Sequence, residues 1–263
     1  MADGFVLSQL EWESIPGAYE TELAAVLHPD APLRCNTYLM RSPEYVMLTD
    51  PGTDNDQTDA LAGLMLQWTR KIPRQAVVCL THCHADHCLS ASRILEKPGF
   101  MASLVCHKLA ADALRSGDAS MTGATILGTV NPHAAAAIAL FALPTSAGVS
   151  RDMDTPGGKL RCLTIPIGPR DALQVYHTPG HSPDGLSFRV GGALMIGDVL
   201  CAEGPHCTRL PGYQAKELGH TLDKLLWLLD NANIVTVYPG HGEPMDRTLA
   251  GERLRTLRGE LNG

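Results

Sequence analysis

Long apolar runs are missing from this chain of 263 residues, and none approaches the roughly 18 residues that a membrane-spanning helix needs. The first residues lack the basic region and the apolar stretch of a signal peptide. A basic excess is also missing, because the net charge is −7 at pH 7. That charge argues against nucleic acid or an anionic membrane as the main partner. Together these absences predict a cytoplasmic protein.

Cysteine pairs at Cys-x-x-Cys spacing are absent as well, although the chain has eight cysteines. Several of them lie inside apolar runs, as Cys79 and Cys106 do. In a chain of this length without an export signal, we expect reduced and mostly buried thiols rather than disulfides. The hydrophobic share of 44% is enough for a large core. We therefore predict a single domain over residues 1–263.

Strand and helix patterns alternate through the chain. Alternating or β-branched apolar residues predict strands at 6–10, 24–27, 36–40, 45–48, 76–80, 101–106, 163–167, 173–176 and 234–238. Gly191-Gly192 joins two further strands, 186–190 and 193–196, and is typical of a hairpin. Apolar residues at helical spacing predict helices at 56–70, 88–96, 108–115, 218–229 and 246–261.

Residues 117–158 differ from the rest because they show little β pattern and contain several glycines and prolines. An alanine-rich run predicts a helix at 134–143. We interpret the segment as a helical insertion. It could form a mobile lid, a contact in a homodimer, or an extra packing layer.

The stretch 81–87 carries four potential metal ligands directly after a buried strand. In an extended loop alternate side chains share a face, so His82 and His84 can bind one ion together. Asp86 and His87 follow where the chain turns into a helix, and they point towards a second ion. Imidazoles with a carboxylate suit zinc, iron or manganese. Two incomplete sets of ligands side by side indicate a centre with two metal ions.

Three later strand ends offer one more candidate ligand each: His181, Asp198 and His241. Each is flanked by glycine, which allows the backbone to turn sharply and approach closely. Two further residues are candidates for orienting the ligands. Asp50 ends the strand at 45–48 and is either a turn cap or a partner of a ligand histidine, and His177 precedes the turn that carries His181.

Four histidine- and aspartate-containing motifs follow one another along the chain: H-C-H-A-D-H at 82–87, H-T-P-G-H-S at 177–182, G-D at 197–198 and P-G-H-G-E at 239–243. With N-T-Y-L at 36–39 and L-T-D-P-G at 48–52, they resemble the metallo-β-lactamase superfamily, especially its glyoxalase II-like hydrolases. The resemblance covers about 35–110 and 160–245. It implies an α/β (α+β) fold, an αββα sandwich interrupted by the insertion at 117–158, with a dinuclear site at one edge.

The resemblance also implies how the ligands divide between two divalent ions, zinc in the first place with iron or manganese as alternatives. The first ion would take His82, His84 and His181. The second would take Asp86, His87 and His241, with Asp198 bridging the two. In β-lactamases of this superfamily the bridging aspartate is usually absent, so Asp198 argues against that activity. The short tail after His241 leaves no room for the glutathione-binding helical domain of glyoxalase II.

The activity implied is hydrolysis of an ester-like bond, thioester or lactone, in a small-molecule substrate by a metal-bridging hydroxide. Asp198 would fix the metal spacing, and Asp86 could relay a proton to the leaving group. One alternative is a persulfide dioxygenase with a single iron, whose members share T-H-C-H-A-D-H but end in P-A-H-D. Another is a non-catalytic binding member of the fold, although buried His and Asp clusters are costly to retain without a metal.

Overall fold

Two seven-stranded sheets lie face to face in the computed structural model, which describes residues 10–28, 34–142, 147–200 and 210–261. Apolar side chains from both sheets, such as Met47 and Phe188, are buried between them. Helices pack on the outer face of each sheet through their own apolar clusters. The predicted αββα sandwich is confirmed.

The first sheet keeps the order of the chain. Its strands are β1 Glu13–Ser14, β2 Glu22–Val26, β3 Thr37–Arg41, β4 Tyr45–Thr49, β5 Gln75–Cys79, β6 Ala102–Cys106 and β7 Ile138–Ala139. Strands β1 to β4 pair antiparallel, whereas β4 to β7 are parallel and are connected through helices. The first four of these helices are α1 Asn55–Lys71, α2 Ala85–Cys88, α3 Ala91–Leu95 and α4 Lys108–Ser116.

The helix predicted at 88–96 is wrong in its bounds, because two short helices, α2 and α3, stand in its place. The backbone N–H of Ser90 donates to the carbonyl of Gly52 at 2.9 Å, so it does not continue the helical ladder. Gly52 in turn donates to the carbonyl of His87 at 2.9 Å. The turn after β4 therefore interrupts the helix and is bonded to the loop that carries the first ligands.

The segment 117–158 is only partly helical, and the helix predicted at 134–143 is wrong. The described part holds α5 Ala119–Thr122, α6 Ala124–Leu127, β7, a single 3₁₀ turn at Leu140–Ala142, and the strand β8 Val149–Thr155. Alanine favours a helix, but here tertiary hydrogen bonds outweigh that preference. Ala134 N donates to the carbonyl of Leu114, and residues 138–139 pair with β6. The segment thus supplies an edge strand to each sheet.

The second sheet runs in the order β14-β13-β12-β11-β10-β9-β8. Its remaining strands are β9 Gly158–Pro166, β10 Ala172–His177, β11 Leu186–Val190, β12 Ala193–Gly197, β13 Thr236–Pro239 and β14 Met245–Asp246. The predicted hairpin is confirmed as the antiparallel pair β11 and β12. The helix α7 Ala215–Asn231 connects β12 to β13, which pair parallel, and α8 Arg247–Glu260 follows β14.

Alternation along the strands assigns residues to the layers. Leu39 and Leu48 face the helices, whereas Met40 and Met47 face the second sheet. Each large apolar side chain buried in this way contributes roughly 1.5–3 kcal/mol to the free energy of unfolding. Six cysteines lie in the described residues, and all are buried and free, as expected. In the described part of the chain no helix combines the length and the apolar character needed to cross a bilayer.

Candidate metal centre

Seven side chains meet at one edge of the sandwich, on the segments that directly follow β5, β10, β12 and β13. Among the residues that the structure describes, they form two groups of candidate metal ligands. Within each group the ligand atoms lie within 4.8 Å of one another. The first group is His82, His84 and His181, and the second is Asp86, His87, Asp198 and His241. The structure thus brings together the seven side chains predicted from the sequence, and Asp198, which is predicted to bridge, falls in the second group.

The first group presents nitrogen atoms only. His84 Nδ1 and His181 Nε2 lie 3.0 Å apart. His82 Nε2 is buried and has no hydrogen-bond partner within the described residues. Burial holds the pKa of His82 well below its usual value and lowers the pKa of His181 to about 4. These two imidazoles are therefore neutral, with lone pairs available to a cation.

The second group combines two imidazoles with two carboxylates. His87 Nε2 lies 3.3 Å from His241 Nε2 and 3.2 Å from Asp198 Oδ1. Asp86 Oδ2 is 3.4 Å from His241 Nε2. Burial lowers the pKa of both histidines, but the nearby carboxylates, Asp198 foremost, outweigh it and raise each pKa above its usual value. Without an ion, this group would hold protons in the place of a cation.

Asp198, a member of the second group, also lies close to the first. Its Oδ2 is 3.6 Å from His181 Nε2 in the first group and 3.6 Å from His241 Nε2 in the second. Burial raises the pKa of Asp198, yet the positive charges of His87 and His241 outweigh it and hold the pKa well below its usual value. An ionised carboxylate in this place can contact cations on both sides.

The donor atoms fit divalent cations. Nitrogens that share a tetrahedral zinc ion at bonds near 2.0–2.1 Å are about 3.3 Å apart. The pairs His84–His181 and His87–His241, at 3.0 and 3.3 Å, match that separation. Asp86 Oδ1 is also buried without a hydrogen-bond partner in the described ranges. Burying an oxygen or nitrogen atom of this kind costs free energy unless a cation binds its lone pair.

Of the two interpretations left open for Asp50, its contacts match that of a partner of a ligand histidine. It is 2% exposed, and His87 Nδ1 donates to its Oδ2 at 2.9 Å. Because Asp50 fixes the Nδ1 proton, the proton on Nε2 is the one that a bound cation would replace. Asp50 also has a φ of 52°, an uncommon value for a residue other than glycine. The strained backbone places this carboxylate beneath the ligand loop.

His177 does not contact a ligand side chain among the interactions described. Its Nε2 lies 3.2 Å from the carbonyl of Pro183, in the turn that carries His181. Its ring stacks on His107 with the ring centres 4.5 Å apart. His177 therefore stabilises the turn rather than the imidazole of His181.

Asp184 was not predicted, although it follows His181 by only three residues. It is fully buried, and its Oδ2 accepts a hydrogen bond from Cys83 N at 2.8 Å. The peptide of Cys83 lies between His82 and His84, so Asp184 anchors the loop of the first group. In the sequence, Asp184 stands between a proline and a glycine. That pattern is typical of a solvent-exposed turn residue, so it gives no sign of a buried anchor.

Asn36 performs a similar task for the loop of His241 and was also missed. Its Nδ2 donates to the carbonyls of Pro239 at 3.1 Å and Gly242 at 2.7 Å. The hydroxyl of Tyr38 also donates to the carbonyl of Pro239, at 2.5 Å. The motif at 36–39 therefore holds the last ligand loop from the opposite sheet, which gives the early motif a physical role.

Gly240 is required by the space around Asp198. A Cβ placed on Gly240 would lie 2.1 Å from Asp198 Oδ1 and 2.8 Å from His87 Cε1. We expect Gly240→Ala to displace these two ligands and to weaken metal binding and activity by about a hundredfold. Zinc affinity measured by competition with a chelator checks this prediction.

Gly63 offers the matched control, because a Cβ there meets no atom within 4 Å and the residue lies inside α1. Gly63→Ala should leave zinc affinity unchanged and raise the free energy of unfolding by about 0.5–1 kcal/mol. Wild-type zinc affinity in Gly240→Ala would contradict the steric argument.

A family model described as "Metallo-beta-lactamase superfamily" matches residues 30–241. A probable metallo-hydrolase of Methanocaldococcus jannaschii is 24% identical over 212 residues, which cover 81% of this chain and 89% of the relative. A probable metallo-hydrolase of Bacillus subtilis is 28% identical over 221 residues, with 83% and 90% covered. A hydroxyacylglutathione hydrolase of Tolumonas auensis is 39% identical over 67 residues, 26% of this chain and 24% of that protein.

Solved structures show the same fold. The B3 metallo-beta-lactamase BLEG-1 superposes with a TM-score of 0.61 at 23% identity, covering 89% of this chain and 99% of that one. TTHA1623, solved in a di-iron-bound form, superposes with a TM-score of 0.56 at 26% identity, covering 85% of this chain and 96% of that one.

Proposed function

Because the chain belongs to the metallo-β-lactamase superfamily, we propose that it is a metal-dependent hydrolase that works with two divalent ions on a thioester or a lactone. The observation that carries this proposal is the position of Asp198 Oδ2, 3.6 Å from a ligand nitrogen in each group. A carboxylate held between two sets of ligands has a purpose when both sets bind an ion. The two probable metallo-hydrolases covered over most of their length support the same reaction class.

When bound, two such ions lower the pKa of a shared water towards neutrality and polarise the carbonyl of the substrate. The chain contributes the positions of the groups. His82, His84 and His181 are buried nitrogen ligands of the first site, and Asp198 would fix the spacing to the second.

Asp86 is placed to hold a proton during the reaction. Its Oδ2 faces His241 at 3.4 Å, whereas its Oδ1 has no hydrogen-bond partner in the described residues. Burial raises its pKa, but the positive charges of His87 and His241 outweigh that effect and keep the carboxyl ionised. One oxygen would hold a cation, and the other would accept the proton that the attacking water loses and pass it to the leaving group.

Support for an ester-like substrate comes from the sequence resemblance to glyoxalase II-like hydrolases and from the local match to a hydroxyacylglutathione hydrolase. Asp198 supports it too, because it sets the chain apart from β-lactamases. Zinc is our first expectation for the metal. The di-iron form of TTHA1623 makes iron the main alternative.

A direct test is metal analysis of protein purified without chelator, followed by assays with thioesters, lactones and β-lactams with and without oxygen. We expect about two ions per chain and hydrolysis that needs no oxygen. The second group would be superfluous in a mononuclear iron enzyme, which needs three protein ligands. One iron per chain, with oxygen consumed when glutathione persulfide is added, would instead identify a dioxygenase, and metal without any activity would identify a binding protein.

A further inference from the structure

We propose that Thr81 is a positioning residue whose hydroxyl links His82, in the first group, to the same carboxylate oxygen that holds His87 in the second. This inference rests on the proposal that both groups bind an ion. It assigns a role to the residue that precedes the H-C-H-A-D-H motif and makes no contact with the ions itself.

The link begins at Asp50, which contacts Thr81 twice. Its Oδ1 accepts a hydrogen bond from Thr81 N at 2.8 Å, and its Oδ2 accepts one from the Thr81 hydroxyl at 2.6 Å. The same Oδ2 accepts the bond from His87 Nδ1 at 2.9 Å. One carboxylate oxygen therefore serves the loop of the first group and a ligand of the second.

Proton counting then fixes the state of His82. A threonine hydroxyl has one proton, and here it is donated to Asp50. Towards His82 Nδ1, 3.0 Å away, the Thr81 oxygen can therefore only accept. The proton of His82 must then lie on Nδ1, and Nε2 keeps its lone pair. This is the nitrogen that has no hydrogen-bond partner among the described residues.

The surroundings hold the hydroxyl in this orientation. Thr81, His82 and Asp50 are each 2% exposed, so bulk water cannot replace a lost bond. The side chain of Thr81 also packs against Gly197, where an added Cβ would lie 2.8 Å from both Thr81 Cβ and Oγ1. Gly197 directly precedes Asp198, so Thr81 is fixed by the backbone that delivers the bridging carboxylate.

The other ligands of the first group do not depend on Thr81 in the described structure. His84 Nε2 lies 3.1 Å from the carbonyl of Pro211, which leaves His84 Nδ1 for the ion. In the second group, His87 contacts Asp50 directly and has no contact with the Thr81 hydroxyl among the described hydrogen bonds. Removing the hydroxyl should therefore weaken one ligand of the first ion and leave the ligands of the second in place.

The test compares wild-type protein with Thr81→Val, which removes the hydroxyl at similar volume, and Thr81→Ser, which keeps it. Metal-stripped protein is titrated with zinc against a chromophoric chelator, and cobalt spectra assign each binding step, because three imidazoles and a set with two carboxylates give different bands. We expect Thr81→Val to weaken the three-imidazole step by about 10–100-fold, with the other step unchanged, and Thr81→Ser to bind as wild type does.

The inference is overturned if Thr81→Val binds both ions like wild type, weakens both steps equally, or is not rescued by serine. A wild-type protein that binds one ion refutes the two-ion proposal separately. If Thr81→Val does not fold, nitrogen-15 spectra of the zinc-loaded wild type decide, since His82 must carry its proton on Nδ1. A proton on Nε2 would refute the link.

Discussion

Replacing Asp198 with alanine is expected to lower the rate of hydrolysis by about three orders of magnitude. The reason is its central position, with one oxygen 3.6 Å from His181 Nε2 and from His241 Nε2. Without this carboxylate nothing fixes the spacing of the two ions, and the buried imidazoles lose the negative charge between them. The measurements are kcat and KM on the substrate found in the assay panel, together with metal content.

Two variants calibrate this result. Asp50→Ala should lower the rate of hydrolysis by a smaller factor, about 10–100-fold, because Asp50 acts through the ligands and would not contact an ion. Asp154→Ala should have no effect, because Asp154 is on β8 with its side chain 92% exposed. A fully active Asp198→Ala protein, or equal losses in the Asp198 and Asp50 variants, would show that Asp198 does not bridge.

Removal of the metal ions is expected to abolish activity and to lower the melting temperature by about 15 °C or more. An ion present at about a thousand times its dissociation constant stabilises the folded state by about 4 kcal/mol, and two ions double that figure. In a chain of this size each kcal/mol shifts the melting temperature by about 2–4 °C. The physical reason is the cost of leaving seven ligand side chains close together without a cation, six of them buried.

Differential scanning calorimetry before and after chelation, with zinc added back, checks this prediction. Readdition should restore both the melting temperature and the activity. Gly63→Ala protein should show the same drop in melting temperature on chelation, because the added methyl group meets no atom within 4 Å. A melting temperature that does not respond to chelation would mean that the seven side chains do not hold ions under these conditions.

The ligands could be predicted from the sequence because each follows a strand. The carboxyl ends of β5 and β12 reach the same edge of the sandwich, and glycines such as Gly197 permit the turns there. The spacing of His82 and His84 in an extended loop predicted that these two share an ion, whereas the family resemblance assigned the later ligands. In such local patterns a few residues determine the geometry.

The supporting residues could not be found in this way because their partners are distant in the chain. Asp184 bonds a peptide 101 positions earlier, and Asn36 bonds carbonyls more than 200 positions later. Neither pairing leaves a periodic signal. The helix predicted at 134–143 failed for a related reason, since the hydrogen bond from Ala134 to Leu114 is made with another part of the fold.

Each group of ligands draws on both sheets, because the segment after β5 supplies two side chains to each group and the second sheet supplies the others. His84 and His181 are 97 positions apart, and His87 and His241 are 154 apart. Bound ions would therefore act as cross-links that close long loops, in the way that disulfides do in secreted proteins. The separation of the two sheets would then require both ions to dissociate first, so the loss of metal, rather than the melting of any helix, would set the rate of unfolding.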